Sequence, residues 1–483
     1  MNADLRSAVK TAEPTQGVTS NSPRILLLSS CLLVMVFSGT ALGSTAARLA
    51  ALLLAAAMTT VALLWPLAVS NLAHLRQAEH GLVAFLSLAG LMMTATVLAR
   101  AIASLQAPTW FAIVSVYTIL GLAVAFPLIR GLPELKWAFW LFLTTYAITT
   151  VVLLRATPAA IDVQVFLRDG AISMLHGHNP YSMTFPNIYP SPLANLFYGT
   201  GVVIDGQITY GFPYMPLSLL GAIFGHLLGD VRYSQLIALL VTAVVLHRLA
   251  SDRVGRAAAV LAVAAPAAIP MLVGAWTEPT LVALLACLVL ALERRHHAFV
   301  ALFLGLFLVS KQYVVVAFPI IWLIRRSLTR PVIFVGLGVA AALTLPFLLV
   351  NPSAFWKAIV EFQLVQPFRA DSLSLLVSSV NTFGWPPPWT YGILPLAGGA
   401  LTAVALALRA PRTPSAFAAS FGLILLVTIL LSKQAFMNYY FLVSGAFLIS
   451  AVAWPTSPGS APCPPIPGPD KAHARPPKQD QAV

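Results

Sequence analysis

Charge is what this sequence has least of. Only 9% of its 483 residues are Asp, Glu, Lys or Arg, while 59% are hydrophobic. A soluble domain carries about 25% charged residues. No packing of one or several soluble cores hides this much apolar surface, so the composition excludes an ordinary soluble protein and predicts a chain dissolved in a bilayer. Cysteine is scarcer still. Cys31, Cys287 and Cys463 lie far apart, with no CxxC or zinc spacing, and support neither a disulfide framework nor a metal site. No short repeat is evident, and the long polar connections do not fall at equivalent places in two halves, as an inverted repeat would require. The charge that is present leans to +13. In a soluble protein that would suggest nucleic acid; here it matches the basic excess that membrane proteins keep in cytoplasmic loops.

Hydropathy predicts spans near 25–45, 49–70, 81–99, 108–129, 136–155, 212–228, 231–248, 257–275, 279–293, 298–310, 313–324, 331–350, 390–408, 414–431 and 436–454. That is an all-α polytopic membrane protein with about 13–15 segments, each needing roughly 20 residues to cross. The segments at 279–293, 298–310 and 313–324 are short for the task. The chain divides into a cytoplasmic tail (1–24), N-terminal membrane helices of unknown role (25–135), a larger membrane unit (136–454) and a Pro-rich tail (455–483) read as disordered. The first apolar run lacks a clean small-residue cleavage site and is read as an anchor. Connections 156–211 and 351–389 are too long to be turns.

Basic clusters at Arg248–Arg256, Arg294–Arg295, Arg325–Arg330 and Arg409–Arg412 set the orientation: both termini cytoplasmic, both long connections outside. Inner loops and tails then hold 19 basic and 8 acidic residues, and the outer side 9 and 7. One parity problem stands. Two apolar segments lie between the outer loop ending near Tyr210 and the inner cluster at Arg248, where an odd number of crossings is needed. Either 212–228 is a half-span or re-entrant helix, or a boundary is misplaced. Its Pro-rich start, Gly211 to Pro216, suits a broken or interfacial helix.

Seven acids remain for the outer side: Asp162, Asp169, Asp205, Asp230, Glu278, Glu361 and Asp371. The densest polar segment is Ile161 to Tyr181, directly after a span. As a helix it puts Asp162, Asp169, Ser173 and His176 on one face and Val163, Leu167 and Met174 on another. This is either an interfacial helix with its polar face toward a site, or an ordinary surface helix with solvated acids. Gly177 ends it, and Asn179-Pro180-Tyr181 starts a turn. Ser353 to Gln363 reads as a second interfacial helix with Phe355, Trp356 and Ile359 toward lipid.

An Asp soon after a span, an amphipathic stretch, and then Leu175-His176-Gly177-His178-Asn179-Pro180-Tyr181 together resemble the first outer loop of the GT-C glycosyltransferases. The nearest likeness is to the bacterial α-mannosyltransferase group related to the phosphatidylinositol-mannoside enzymes. Phe212-Pro213-Tyr214-Met215-Pro216-Leu217 resembles that family's Y-P-P-L helix start, with the proline pair split by Met215. Gly274 to Glu278 resembles its second outer turn, and Gly305 through Lys311 its glycine-bearing span ending at a lysine. The likeness covers roughly residues 155–450. Five spans precede the first loop, where the simplest relatives have one.

The resemblance implies an integral-membrane enzyme of the cell envelope, in the inner or plasma membrane, facing outward. It would transfer a sugar, with mannose as the guess, from a polyprenyl-phosphate carrier to a hydroxyl of a lipid or glycan acceptor. No metal or other cofactor is implied. The first-loop aspartate, Asp162, becomes the general base, and attack from the opposite face inverts the anomeric centre. The leaving phosphate needs only its charge steadied. Lys311 and Lys433, each followed by a glutamine (Gln312 and Gln434), either hold that phosphate or snorkel to headgroups. Arg369 either touches substrate or pairs with Asp371. Glu278 either orients an acceptor or cation or caps the next helix. His176 and His178 suit substrate hydroxyls or a turn better than a metal. Arg168, Asp169, Asn179, Tyr181 and Gln312 complete the candidate contacts. Two rival readings are a lipid-linked glycan transporter or flippase and an O-antigen-ligase-like polymerase. Ionisable residues are nearly absent from span centres, which weighs against the transporter.

Overall fold

Apolar runs bounded by Pro, Gly and basic residues fold as helices almost throughout. The computed structural model describes residues 22–36, 44–65, 136–158, 161–265 and 267–454. Predicted spans 81–99 and 108–129 and the tail from 455 lie outside the described residues. Among the described residues, four stretches are long and apolar enough to cross a membrane: Thr45–Leu64, Trp137–Ala156, Arg330–Val350 and Pro388–Arg409. The protein is a helical, multi-pass membrane protein.

In chain order the described elements begin with α1 (Ser22–Val36), α2 (Thr45–Leu64) and α3 (Lys136–Ala156). The first long connection carries α4 (Asp162–Leu175), β1 (Phe185–Pro186), α5 (Ser191–Tyr198), β2 (Val203–Ile204) and β3 (Gln207–Ile208). Next come α6 (Pro216–Leu227), α7 (Tyr233–Leu249), α8 (Arg253–Ala264), α9 (Ala268–Val273), α10 (Glu278–Glu293) and α11 (His297–Leu308). A 3₁₀ helix (Gln312–Ser327) and α12 (Arg330–Val350) lead to the second long connection. That connection holds α13 (Pro352–Trp356), a π turn (Lys357–Glu361), α14 (Phe362–Val365) and α15 (Leu375–Phe383). The last three helices are α16 (Ile393–Arg409), α17 (Pro414–Leu430) and α18 (Met437–Ala453).

Helices α10, α17 and α18 are apolar on nearly every face and form the centre, with α1 packed on α18 and α2 on α17. The first helix is tied in by the Ser30 and Ser444 hydroxyls, 3.0 Å apart. Gly305 of α11 lets α12 approach closely: a Cβ there would sit 2.4 Å from the Gly336 carbonyl oxygen.

The segment predicted at 313–324 takes an unexpected form. As an α-helix, 16 residues would reach about 24 Å. The observed 3₁₀ helix Gln312–Ser327 rises about 2.0 Å per residue, so its 16 residues reach roughly 32 Å, the thickness of the hydrocarbon core. The span predicted at 257–275 is broken into α8 and α9 after Ala264, where the sequence carries Pro266, a residue with no amide N–H to donate.

The parity problem is resolved by α6. Its 12 residues reach about 18 Å, too little to cross. Its start lies beside the end of α11, with the Ser218 hydroxyl donating to the Ser310 carbonyl at 3.1 Å. Its end lies beside the end of α3: the buried Arg232 guanidinium donates to the carbonyls of Thr157 (2.8 Å) and Leu154 (2.5 Å) and pairs with Asp230 at 2.6 Å. Both ends of α6 therefore lie on the face that carries the long connections. With α6 not crossing, α7 is the single helix left to cross between the first long connection and Arg248.

The first long connection closes on a small antiparallel sheet of order β1-β3-β2, with Ile208 opposite both Phe185 and Val203. Asp205 and Gly206, both at positive φ, make the two-residue turn from β2 to β3, which accounts for one of the seven acids. The second interfacial helix needs a correction. Phe355 and Ile359 are buried, with Phe355 4.8 Å from the Tyr181 ring, and only Trp356 faces outward. The apolar side of this helix packs on the aromatic core of the first loop rather than on lipid.

Candidate active site

Helix α4 re-enters helical structure at Asp162, five residues after α3 ends, so its carboxylate sits in the first turn, where the helix dipole favours a negative charge. Oδ1 accepts from the Val163 amide at 2.9 Å and from the Tyr189 hydroxyl at 3.3 Å. Oδ2 accepts from the Tyr198 hydroxyl at 2.8 Å. A carboxylate has about four lone-pair sites, so one on Oδ2 is left for a further donor. Burial pushes the Asp162 carboxyl above the usual carboxylate range, against the opposing pull of the Tyr198, Val163 and Tyr189 hydrogen bonds. Burial and the Asp162 charge raise Tyr189 to about 12 and Tyr198 further, so both phenols remain donors at neutral pH.

Local sequence places these tyrosines. Asn187 holds Tyr189 by accepting its amide N–H at 3.1 Å and donating to its carbonyl at 2.7 Å. Tyr198 closes α5, which Gly199 ends at φ +87. Tyr214 is held from behind by Tyr181, whose hydroxyl donates to the Tyr214 carbonyl at 2.9 Å.

Asp162 opens into a cavity of about 290 Å³, near the lower end of the range for ligand pockets. Across it stands Lys311, 8% exposed, in the three-residue gap between α11 and the 3₁₀ helix. Its ammonium pairs with the fully buried Glu278 at 3.2 Å and lies 4.4 Å from the Tyr214 ring centroid. Glu278 Oε1 also accepts from Tyr313 (3.0 Å) and Asn438 (3.0 Å), while Oε2 has no partner in the structure. Arg369 is the second cation in the lining. It pairs with exposed Asp371 at 2.7 Å and is in contact with the rings of Phe197 (4.3 Å) and Phe436 (4.7 Å). The pairing with Asp371 and a place in the cavity therefore coexist.

The other expected contacts lie behind this lining or away from it. Lys433 donates its ammonium to the Gln366 carbonyl, and burial lowers its pKa; it buttresses a wall that Gln366 and Gln434 line. Gln312 donates to the Pro213 carbonyl at 2.8 Å and ties the first loop to the Lys311 segment. Asp169 pairs with Arg168 at 2.7 Å on the surface. The Nδ1 of His176 lies 2.8 Å from the Ile172 carbonyl, and Gly177 (φ +80) with His178 closes α4 by hydrogen bonds back to Met174 and Ser173. Asn179 accepts from the Tyr181 amide at 3.1 Å. The expected polar face toward a site is thus reduced to its first residue. Asp169 and His176 lie about 10 and 21 Å along the axis from Asp162, and α4 aims its N-terminus, not its side, at the cavity. Among the described residues, no group of three His, Cys, Asp or Glu stands ready for a metal.

Sequence reasoning missed the phenols around Asp162, along with Tyr214 and Trp276, and it read Asn438-Tyr439-Tyr440 first as an aromatic belt, with sugar stacking second; Tyr189, Tyr198, Tyr214, Trp276, Asn438 and Tyr439 all line the cavity. A usable signal existed: five of the 12 tyrosines fall between positions 181 and 214.

No family model and no curated protein matches the chain. Among solved structures it is similar to ArnT from Cupriavidus metallidurans, crystallised bound to undecaprenyl phosphate. The identity is 17% and the TM-score 0.41, over 65% of this chain and 60% of that one. The match therefore spans less than two thirds of that chain's length.

Proposed function

We propose that the protein is a membrane glycosyltransferase of the GT-C type. It moves a sugar, with mannose as the first candidate, from a polyprenyl-phosphate carrier to a hydroxyl of a lipid or glycan acceptor. The observation that carries this reading is one cavity holding a half-buried carboxylate, Asp162, and two cations, Lys311 and Arg369. Those are the two needs of the reaction. An acceptor hydroxyl is a poor nucleophile until a positioned carboxylate takes its proton. A phosphate leaves well once its charge is steadied. The free lone pair on Asp162 Oδ2 suits an incoming hydroxyl, and Arg369, in contact with two rings, suits bidentate contact with phosphate. The order of motifs from Asp162 through Asn179-Pro180-Tyr181 to Lys311 supports the same class. In this reading the cavity faces outward, away from the arginine-rich turns.

The test is transfer from labelled polyprenyl-phosphate sugars in membranes containing wild type or Asp162→Asn. Wild type should give a covalent, inverted product, and Asp162→Asn should lose about 10²–10⁴-fold. Equal transfer by both would sink the base assignment. Movement of lipid-linked sugar without any covalent product would replace the enzyme reading with the transporter.

A further inference from the structure

We infer that the face opposite the cavity carries a binding site for the headgroup of an anionic phospholipid, formed by Trp322, Arg325 and Arg412. The 3₁₀ helix begins beside Lys311 at the cavity and carries Arg325 in its last turn, about 26 Å away. There the Arg325 guanidinium lies 3.7 Å from the centroid of the Trp322 ring, and Arg412, from the turn between α16 and α17, lies 5.8 Å from the same centroid. Adding the two distances, the guanidinium carbons are no more than 9.5 Å apart. Arg326, Arg330 and Arg409 are exposed on the same turns.

Among the described residues no acid is paired with this charge: none of the ion pairs involves any of these five arginines. The described acids of the inner turns are committed elsewhere: the Asp252 side chain caps α8 through the Gly255 amide at 2.7 Å, and Glu293 lies beside Arg295. Two guanidiniums gathered on one ring repel each other unless an anion lies between them. Their planar donors match a phosphodiester, and the indole holds the Arg325 plane in place.

The neighbouring surface says what bears that phosphodiester. Trp322 is 47% exposed, and next to it along the same helix Phe318 (69%) and Val315 (68%) are bare. On α16, Leu408 (76%) and Leu401 (73%) lead from Arg409 toward the membrane centre. A basic cluster bordering an apolar wall fits a phosphate carried on acyl chains better than a free anion or an acidic protein. An orientation signal alone needs positive charge somewhere on this face, but not two arginines converging on one exposed indole.

The test uses the purified full-length protein in detergent, with retained lipid counted by native mass spectrometry. Dioleoyl phosphatidylglycerol should be retained over dioleoyl phosphatidylcholine, and R325Q/R412Q should reduce that preference by roughly tenfold or more. The control R294Q/R295Q, a basic pair of the same face without a tryptophan, should keep it. Monodispersity of both variants on size exclusion separates lost binding from lost folding. Equal loss in the two variants would overturn the site in favour of diffuse charge. Displacement of the phosphatidylglycerol by millimolar inorganic phosphate would overturn the lipid assignment in favour of a free-anion site.

Discussion

Asp162 holds three hydrogen bonds before any substrate arrives, and two of them come from phenols that stay protonated at neutral pH. Each donor stabilises the charged carboxylate and so opposes the upward push of burial. Removing one has a definite sign. Tyr198→Phe should raise the Asp162 pKa further, because the charged form loses a partner. The acid limb of transfer activity should then move to higher pH, with the rate recovering on the alkaline side. Initial rates against pH in reconstituted membranes measure this; an equal loss at every pH would mean that Tyr198 only shapes the wall. Lys311 and Glu278 form a buried pair, in which either partner alone is costly. Lys311→Met should destabilise by about 3–5 kcal/mol by leaving a lone buried carboxylate. The double variant K311M/E278Q should regain much of the melting temperature in detergent but not the transfer. Asp162 was legible in the sequence because acids are so few. Its phenols were not, because they stand 27 and 36 residues away and only the folding of α5 and its preceding turn brings them in.

Elements succeed or fail here on close approach. Gly211 sits at φ +73 where a Cβ would fall 2.2 Å from the Tyr181 carbonyl oxygen, whereas Gly201, at φ +80, has open space around it. Gly201→Ala should cost only the left-handed backbone penalty of about 1–2 kcal/mol. Gly211→Ala should cost clearly more and weaken transfer as well, because the Tyr181–Tyr214 contact is displaced with it. Thermal unfolding of the two variants side by side checks the order. The positions of α4 and its closing Gly177 could be read from periodicity and turn residues. The 3₁₀ form of 312–327 could not: hydropathy reports how apolar a segment is, not its rise per residue. The inward packing of Phe355 and Ile359 also escaped, since an apolar side facing lipid and one facing an aromatic core have the same sequence.

For the whole molecule, the decisive element is α6, with both ends on the cavity face. In a variant lacking the three native cysteines, single cysteines at Leu228 and Asp371 should react with a membrane-impermeant maleimide from the same side. One at Arg326 should react only from the other. Reaction of the Leu228 position together with Arg326 would mean that α6 crosses after all. The crossings implied by α7 through α18 then bring Asp162, Glu278, Lys311 and Arg369 to one face and the arginine-rich turns to the other.

Composition alone determined that the chain lives in a bilayer, and the scarcity of acids, with the orientation read from the basic clusters, reduced the candidate bases from 15 to seven. Both follow from the cost of carrying charge into hydrocarbon, a local property that each segment reveals for itself. Which polar groups meet was decided only by the tertiary structure. Lys311 finds Glu278 across 33 residues and Asn438 reaches the same carboxylate across 160, because helix packing, not spacing along the chain, sets those distances.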